Sequence, residues 1–355
     1  MSDETITCIV PTHNRPHFLR RLLKFYKAFP PSHPVLIVDT SHAAAAAENV
    51  TVINDAKESL KLDYRHVDMN YIDKCVYGLQ ETSTPYAIFC ADDDLIFPDA
   101  IRPCVEFLNQ SPQYSAALGK TVQISPTRPI RPARQLQVLR GYSIEQPQPL
   151  DRCRQMITQL FSSYYAVYRT EILRDNFRLT SANTDTRLNA YGSEMMLSQL
   201  SVLRGKIKVL PMMYSIRERH DDNLGSTVRD GVQQEPEALY QRFKSCLAAQ
   251  LVQTGVAQSE ADRYLDQRFG FLRDSHYGTR RRRRSVLELL RQTYHGIVDR
   301  IADQVWTDQP RFVRRLMKRD IVGCGPAWDF AVQLIREYPK GITVPDSASN
   351  QHESR

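Results

Sequence analysis

The stretch Tyr86-Ala-Ile-Phe-Cys-Ala-Asp-Asp-Asp-Leu-Ile-Phe-Pro98 joins a short apolar run to three consecutive carboxylates. The apolar run Tyr86–Cys90 predicts a buried β-strand, with the triplet Asp92-Asp93-Asp94 directly after it. Adjacent carboxylates repel one another and lose hydration beside a core, so the triplet is costly unless a cation neutralises it. Capping of the helix predicted to begin near Asp99 would need only one of them. The stretch therefore predicts a charged binding site at the end of a core strand.

Strand-like and helix-like segments alternate on both sides of this stretch, over the first 125 residues. Apolar runs predict the strands, and apolar residues at helical spacing predict helices between them. The predicted strands are Ile6–Val10, Val35–Val38, Val50–Ile53, Tyr86–Cys90 and Ala116–Ile124. Such alternation predicts an α/β fold with a mostly parallel sheet, in which ligands bind at the carboxyl ends of the strands.

The alternation weakens after residue 125. Five prolines between residues 125 and 150 predict a loop or an edge excursion over the active site. A helix over 186–204 and a strand over Lys206–Ile216 are predicted next, and from about residue 233 the pattern is helical and basic. We therefore predict a domain at 1–228 that carries the site, a mainly helical C-terminal subdomain at 229–342 and a flexible tail at 343–355.

The 355-residue chain has a formal net charge of +7, which predicts an anionic partner such as a nucleotide, a phosphorylated carrier or an acidic membrane. The block Arg280–Arg284 is expected to be a solvated basic helix face, with contact to anionic lipid or to a phosphate-linked acceptor as the alternative. Aromatic residues that would stack on single-stranded bases are sparse there, which argues against nucleic acid.

The seven cysteines form no CxxC pair, which argues against a zinc site and favours reduced thiols. The sequence shows neither a signal-peptide pattern nor an apolar run of transmembrane length. We therefore expect a cytoplasmic protein, at the inner face of the membrane if the arginine block binds lipid.

Three motifs, each at the end of a predicted strand, resemble those of family 2 glycosyltransferases of the GT-A fold. Ile9-Val-Pro-Thr-His-Asn-Arg15 resembles the family's opening strand and loop, and Leu36-Ile-Val-Asp-Thr-Ser41 resembles its second strand. Ala91-Asp-Asp-Asp-Leu-Ile-Phe-Pro98 resembles its D-x-D region, including the proline four residues after the last aspartate. The resemblance extends closely over residues 5–125 and more loosely over 185–223. It implies a Rossmann-like GT-A fold, with a mixed, mostly parallel sheet flanked by helices.

The resemblance also implies contacts with a nucleotide-sugar donor. The residues that it assigns to the nucleotide pocket are Pro11, Thr12, Arg15, Asp39 and Lys74. Of these, Asp39 would contact the base. Asp94 would ligate the Mn²⁺ or Mg²⁺ ion that bridges the two phosphates, and Asp92, near the ribose or sugar, would be a further ligand. Many members carry an aspartate where this chain has Ala91, so the triplet is shifted relative to the family and Asp93 receives no role.

Sugar transfer to a hydroxyl needs charge stabilisation on the leaving nucleoside diphosphate and a base for the hydroxyl proton. Glu194, in Tyr191-Gly-Ser-Glu-Met-Met196, is the predicted general base, with a solvent-facing helix-cap glutamate as the alternative. Asp185 is the reserve candidate.

The segment Arg217-Glu-Arg-His-Asp-Asp-Asn223 follows a predicted strand and adds further charges. Arg217 and Arg219 are predicted to neutralise the leaving group. His220 is predicted to be a further metal ligand or a donor to the diphosphate, with a solvated histidine as the alternative.

Together these features predict an inverting, metal-assisted glycosyltransferase that acts on a glycan, lipid-linked or protein acceptor in glycan or polysaccharide biosynthesis. A sugar-1-phosphate nucleotidyltransferase is one alternative, but those enzymes use a glycine-rich loop, and Pro11–Pro16 contains no glycine. A non-catalytic binding protein that kept the fold is another, since a fold alone does not establish activity. The sequence leaves a homodimer open.

Overall fold

The computed structural model describes residues 5–124, 136–139, 141–158, 163–184, 190–218, 220, 235–273, 325–338 and 341, with the backbone alone at 136–139 and 190–192. These residues form an α/β structure around one mixed sheet of nine strands. The strands are β1 (Ile6–Thr12), β2 (Val35–Asp39), β3 (Leu62–His66), β4 (Tyr86–Phe89), β5 (Leu95–Ile96), β6 (Tyr114–Ile124), β7 (Leu136–Leu139), β8 (Val167–Arg169) and β9 (Lys206–Glu218). Their order is β3-β2-β1-β4-β8-β6-β9-β5, with β7 paired to β6.

Helices cover the sheet and form the described C-terminal part. The α-helices are α1 (Pro16–Ala28), α2 (Ala43–Asn54), α3 (Tyr71–Gln80), α4 (Ile101–Gln110), α5 (Pro149–Thr158), α6 (Thr170–Asn183), α7 (Ala190–Arg204), α8 (Pro236–Gln253), α9 (Gln258–Phe269) and α10 (Gly325–Glu337). Short 3₁₀ turns lie at Pro98–Ala100 and Gly270–Arg273. Within the ranges given above, no helix is both long and apolar enough to cross a membrane.

The prediction of a strand at Val50–Ile53 is wrong, because these residues form the end of α2. The alanine run Ala43–Ala47 precedes them, and alanine has the highest helix propensity of all residues, so the helix continues through the β-branched residues. Val52 and Ile53 are buried on its inner face. The third parallel strand is instead β3 at the edge of the sheet, where alternating charged residues hide the strand pattern.

The parallel strands β1, β2 and β4 align their carboxyl ends at one edge of the sheet. Thr12, the last residue of β1, is paired with Asp39, the last residue of β2. Ile9 is paired with Phe89 at the end of β4, so the acidic triplet emerges beside the loop that follows β1. This register gathers the three predicted motifs at one site, as expected for ligand binding in open α/β sheets.

Helix α3 lies unusually close to the strands that carry the site. A Cβ atom at Gly78 would lie 2.9 Å from Ile9 Cγ2 and 3.2 Å from Val38 Cγ2. Only glycine fits this approach, and Lys74, one turn earlier on α3, is thereby brought to the carboxyl ends of β1 and β2.

The second half of the sheet is built on the long parallel pair β6 and β9, whose register shifts at three places. Helices α8 and α9 pack against the layer behind it, where Tyr264 donates to Gln199 Oε1 at 2.8 Å. The described parts of the C-terminal region are thus helical, as predicted. The boundaries at 228 and 342 stay predictions.

Candidate active site

The acidic triplet occupies a tight turn between β4 and β5. The turn is closed by a hydrogen bond from the Asp94 amide to the Ala91 carbonyl at 3.2 Å. Asp92, Asp93 and Asp94 expose 0%, 4% and 3% of their surface, so none of them is a solvated surface acid. Each carboxylate needs compensation from the protein or from a ligand.

Arg15 joins the first two carboxylates to the loop after β1. Its guanidinium contacts Asp92 Oδ1 and lies 3.0 Å from Asp93 Oδ2. Thr12 Oγ1 donates to Asp92 Oδ2 at 2.6 Å. The structure thus brings Thr12, Arg15 and Asp92 together, as the family resemblance implied.

Asp93, which received no role from the sequence, lies between two cationic groups. Besides Arg15, His220 Nε2 lies 2.9 Å from Asp93 Oδ2. Burial works against ionisation of Asp93, but the hydrogen bond from His220 and the charge of Arg15 hold its pKa below the usual range. Burial alone would lower the His220 pKa, but the hydrogen bond and the charge of Asp93 outweigh burial and raise that pKa. The Nε2 contact with the Asp93 carboxylate shows His220 acting as a hydrogen-bond donor within the site.

Asp94 is held by groups from the second half of the sheet. Tyr165 donates to Oδ2 at 2.6 Å, the Glu218 amide donates to Oδ1 at 2.8 Å, and Arg217 Nε lies 3.5 Å from Oδ2. Burial, together with the neighbouring charge of Asp93, raises the Asp94 pKa to about 6. Burial likewise raises the Asp92 pKa. A cation beside the triplet would therefore be favoured, because it would let all three carboxylates ionise.

The donor set suits a hard divalent cation. Carboxylate oxygens are the ligands that Mg²⁺ and Mn²⁺ prefer. In the described part of the chain, no three His, Cys, Asp or Glu side chains form a ready-made metal cluster. Mg²⁺ does not require one, since it commonly binds through one or two carboxylates, water and substrate phosphates.

Lys74 and Asp39, both predicted to contact the nucleotide, are buried and form hydrogen bonds with other protein groups. Lys74 Nζ donates to the Thr12 carbonyl at 2.7 Å and to Thr40 Oγ1 at 3.1 Å, and burial lowers its pKa. The Asp39 carboxylate, fully buried, accepts from the Ser41 amide, Asn49 Nδ2 and the Tyr64 hydroxyl. Burial opposes its ionisation, but these hydrogen bonds lower its pKa below the ordinary value.

The loops after β1 and β2 are locked to each other. The Asn14 amide donates to Ser41 Oγ at 2.7 Å, and the His42 amide donates to Asn14 Oδ1 at 2.8 Å. Asn14 has a φ of 55°, a left-handed conformation that asparagine tolerates better than most residues. Pro11 lies buried in β1 beside this pair of loops. These bonds hold the two loops together at the carboxyl ends of β1 and β2.

Glu194 lies on α7 within electrostatic range of Arg217. Its side chain is open to solvent, yet the surrounding protein raises its pKa above the ordinary value while the charge of Arg217 works in the opposite direction. Asp185 and Arg219 lie outside the described residues.

Sequence reasoning missed Tyr165 and Arg21. Nothing around Tyr165 marks it, because it sits among aromatic residues without a charged motif. Arg21 did carry a signal: it falls on the apolar face of α1, three residues after Phe18 and four before Phe25. A charge on a buried helix face predicts a specific partner.

The structure is thus an α/β fold whose mixed sheet carries acidic residues just beyond the carboxyl ends of its parallel strands. Residues 7–177 match the family model described as Glycosyl transferase family 2. Residues 7–177 therefore carry a glycosyltransferase family 2 domain, as the motifs predicted, which favours a glycosyltransferase over the nucleotidyltransferase and non-catalytic alternatives.

Solved structures show the same fold. The structure of Staphylococcus aureus TarS 1–349 in complex with UDP-GlcNAc shares 17% identity with a TM-score of 0.54, covering 96% of this chain and 90% of that one. TarS 1–349 without that ligand shares 16% identity with a TM-score of 0.52, covering 96% and 89%. No curated protein matches the sequence.

Proposed function

We propose that this chain transfers a sugar from a nucleoside diphosphate sugar to an acceptor hydroxyl, by a metal-assisted displacement that inverts the anomeric centre. The observation that carries the proposal is the buried triplet at the carboxyl ends of β1, β2 and β4, with Arg15 and Arg217 in contact with its carboxylates. Acids and cations at one site suit a diphosphate, which needs a counter-charge as it leaves.

The nucleoside would bind between the interlocked loops after β1 and β2. Thr12 and Pro11 would contact the nucleoside. Asp39, which accepts hydrogen bonds from Ser41, Asn49 and Tyr64, would hold the loop that faces the base in place. Lys74 would stabilise the same loops through Thr12 and Thr40. We retain contact of Asp39 with the base as a proposal.

Arg15 and Arg217 flank the triplet on opposite sides and would neutralise the diphosphate, with Arg219 as a further candidate. Asp94 and Asp92 would hold a Mn²⁺ or Mg²⁺ ion, which when bound supplies positive charge to the departing nucleoside diphosphate. His220, which contacts Asp93 through Nε2, would donate to the diphosphate or would be a further ligand of the metal.

Glu194 would remove the proton of the attacking hydroxyl. Its raised pKa makes it a stronger base than an ordinary glutamate, and its exposed carboxyl is open to an acceptor. Asp185 remains the reserve candidate. The acceptor would be a glycan, a lipid-linked saccharide or a protein.

A donor panel tests the proposal. Purified protein is incubated with UDP-, GDP- and dTDP-sugars, with Mn²⁺, Mg²⁺ or EDTA, and released nucleoside diphosphate is measured; UDP-GlcNAc, the ligand of the TarS structure, is the first donor to try. We expect metal-dependent release that Asp94→Asn abolishes, and transfer to an acceptor that Glu194→Gln abolishes. Release from no donor, or full activity of Asp94→Asn, would contradict the proposal.

Membrane contact and self-association are separate proposals. Arg280–Arg284 would bind anionic lipid at the cytoplasmic face of a membrane; the block lies outside the described residues. Co-sedimentation with vesicles containing phosphatidylglycerol, against pure phosphatidylcholine, tests it, and light scattering tests a homodimer. The proposal also holds that nucleic acid is no partner, which a salt titration of any binding checks.

A further inference from the structure

Arg21 is a fully buried arginine next to the acidic turn, and it contacts three separate parts of the chain. Its Nη2 donates to the Asp93 carbonyl at 2.8 Å, and its Nη1 lies 2.5 Å from Glu218 Oε2. The same Nη1 donates to the Tyr338 carbonyl at 2.9 Å. The guanidinium also lies over the Phe18 ring, 5.1 Å from its centroid.

The C-terminal segment, defined here as the described residues 325–338 and 341, meets this arginine through Tyr338 and is packed into the core. Trp328, Ala331, Leu334 and Ile335 of α10 are buried. At the end of the segment, Gly341 has a φ of 78°, and a Cβ atom there would lie 2.5 Å from the carbonyl carbon of His17 on α1. Only glycine permits this contact.

A buried arginine–glutamate pair is a weak source of stability, because desolvation of both charges offsets their attraction. Arginine differs from other cations in its planar, rigid fork of donors, which fixes the relative positions of several acceptors. The acceptors here are the main chain of the acidic turn, the end of β9 and the C-terminal segment. The arrangement therefore fixes geometry more than it adds stability.

We infer that Arg21 is a positioning residue for the donor site. It holds the main chain at Asp93, and hence the directions of the three carboxylates, and the C-terminal segment keeps Arg21 in place through Tyr338. Its partners Glu218 and Tyr338 both lie beyond the stretch 7–177 that matches the family model. The inference rests on the proposed function in assigning this turn to the donor.

The double variant Arg21→Met/Glu218→Gln tests Arg21 without leaving a buried unpaired charge. Hydrogen exchange at the amides of residues 92–95 is measured first, without ligand, followed by kcat and KM for the donor identified in the panel and by the thermal shift with UDP and Mn²⁺. We expect faster exchange at the turn, a kcat reduced about 10- to 100-fold and a smaller thermal shift. The single variant Arg21→Lys keeps the charge but not the planar fork of donors. It should be as stable as the wild type but should show the reduced kcat of the double variant. Arg20→Met, at the neighbouring half-buried position that pairs with Glu48 of α2, is the control expected to match the exchange at residues 92–95 and the kcat of the wild type.

Gly341→Ala tests the contribution of the C-terminal segment, and Gly255→Ala is its matched control. Both glycines have positive φ, but only a Cβ at Gly341 meets the protein; none lies within 4 Å at Gly255. Gly341→Ala should therefore speed exchange at residues 92–95 and lower kcat, and Gly255→Ala should do neither.

If the double variant shows the exchange rates and the kcat of the wild type, the inference is wrong and Arg21 serves as a counter-charge for Glu218. If the wild type releases nucleotide from no donor while exchange at the turn still rises in the double variant, the proposed function fails and the positioning role of Arg21 stands.

Discussion

At the scale of single residues, Tyr165 holds Asp94 from 71 residues further along the chain. Hydrogen bonds to charged groups contribute about 1.5–3 kcal/mol. Tyr165→Phe should therefore weaken UDP binding in the presence of Mn²⁺ by roughly 10- to 100-fold, measured by calorimetry. Tyr164→Phe is the matched control, since Tyr164 bonds to Tyr71 and not to the triplet. Equal effects of the two variants would argue against a role for the Tyr165 hydroxyl at the triplet.

Asp94 also makes the stability of the metal-free protein depend on pH. Its pKa is raised from 3.8 to about 6 in the folded protein, so the stability that it contributes is fully present below pH 3.8 and is lost as the pH rises through about 6. Asp94→Asn removes this titration. Thermal unfolding between pH 4 and 7.5 should show the variant gaining on the wild type as the pH rises, and Mn²⁺ with UDP should reverse that gain. A difference independent of pH would contradict the raised pKa.

Residues at strand ends were the part of the site that could be predicted. Thr12, Arg15 and Asp92 lie together because parallel strands place their carboxyl ends side by side, and short motifs mark those ends. The contact of Asp93 with His220 could not be predicted, since 127 residues separate them and only the fold brings them together.

At the scale of elements, helix α3 depends on Gly78 for its approach to β1 and β2. An alanine there would bring a methyl group to 2.9 Å from Ile9 Cγ2, and overpacking of this kind costs about 1–3 kcal/mol. Gly78→Ala should lower the free energy of unfolding by that amount in urea titrations and displace Lys74 from Thr12. Gly270→Ala, where no atom lies within 4 Å, should cause no loss. If the two variants unfold at the same urea concentration, the close approach of α3 is not required.

Element types were predictable where the apolar period was long and uninterrupted. The helix α4 and the strands β1, β2, β4, β6 and β9 follow the sequence pattern. Two segments departed from the pattern. At Val50–Ile53 the preceding alanines favoured a helix over the strand that the β-branched residues indicate. Strand β3 was not predicted because Asp63, Arg65 and His66 interrupt its apolar residues. Of the two segments, only β3 lies at the edge of the sheet, where burial imposes the least pattern.

At the scale of the whole molecule, α10 packs on apolar side chains from α1 and from the turn after β5. Phe330 meets Phe29 at a centroid distance of 5.7 Å, and Trp328 meets Phe97 at 6.5 Å. A chain that ends at residue 324 should lose thermal stability, since burial of each large apolar side chain contributes about 1.5–3 kcal/mol, and should lose donor turnover. A chain that ends at residue 342 keeps Gly341 and serves as the control. Full turnover by the shorter chain would show that the donor site does not need α10.

The bond between Arg21 and Tyr338 spans 317 residues, and this separation has a consequence during synthesis on the ribosome. A nascent chain that has already emerged with all of residues 7–177 still lacks Glu218 and Tyr338. Its acidic turn is made early but gains the main-chain support from Tyr338 only after residue 338 has emerged. A shorter nascent chain would thus carry the three carboxylates without the support that we propose the donor site needs.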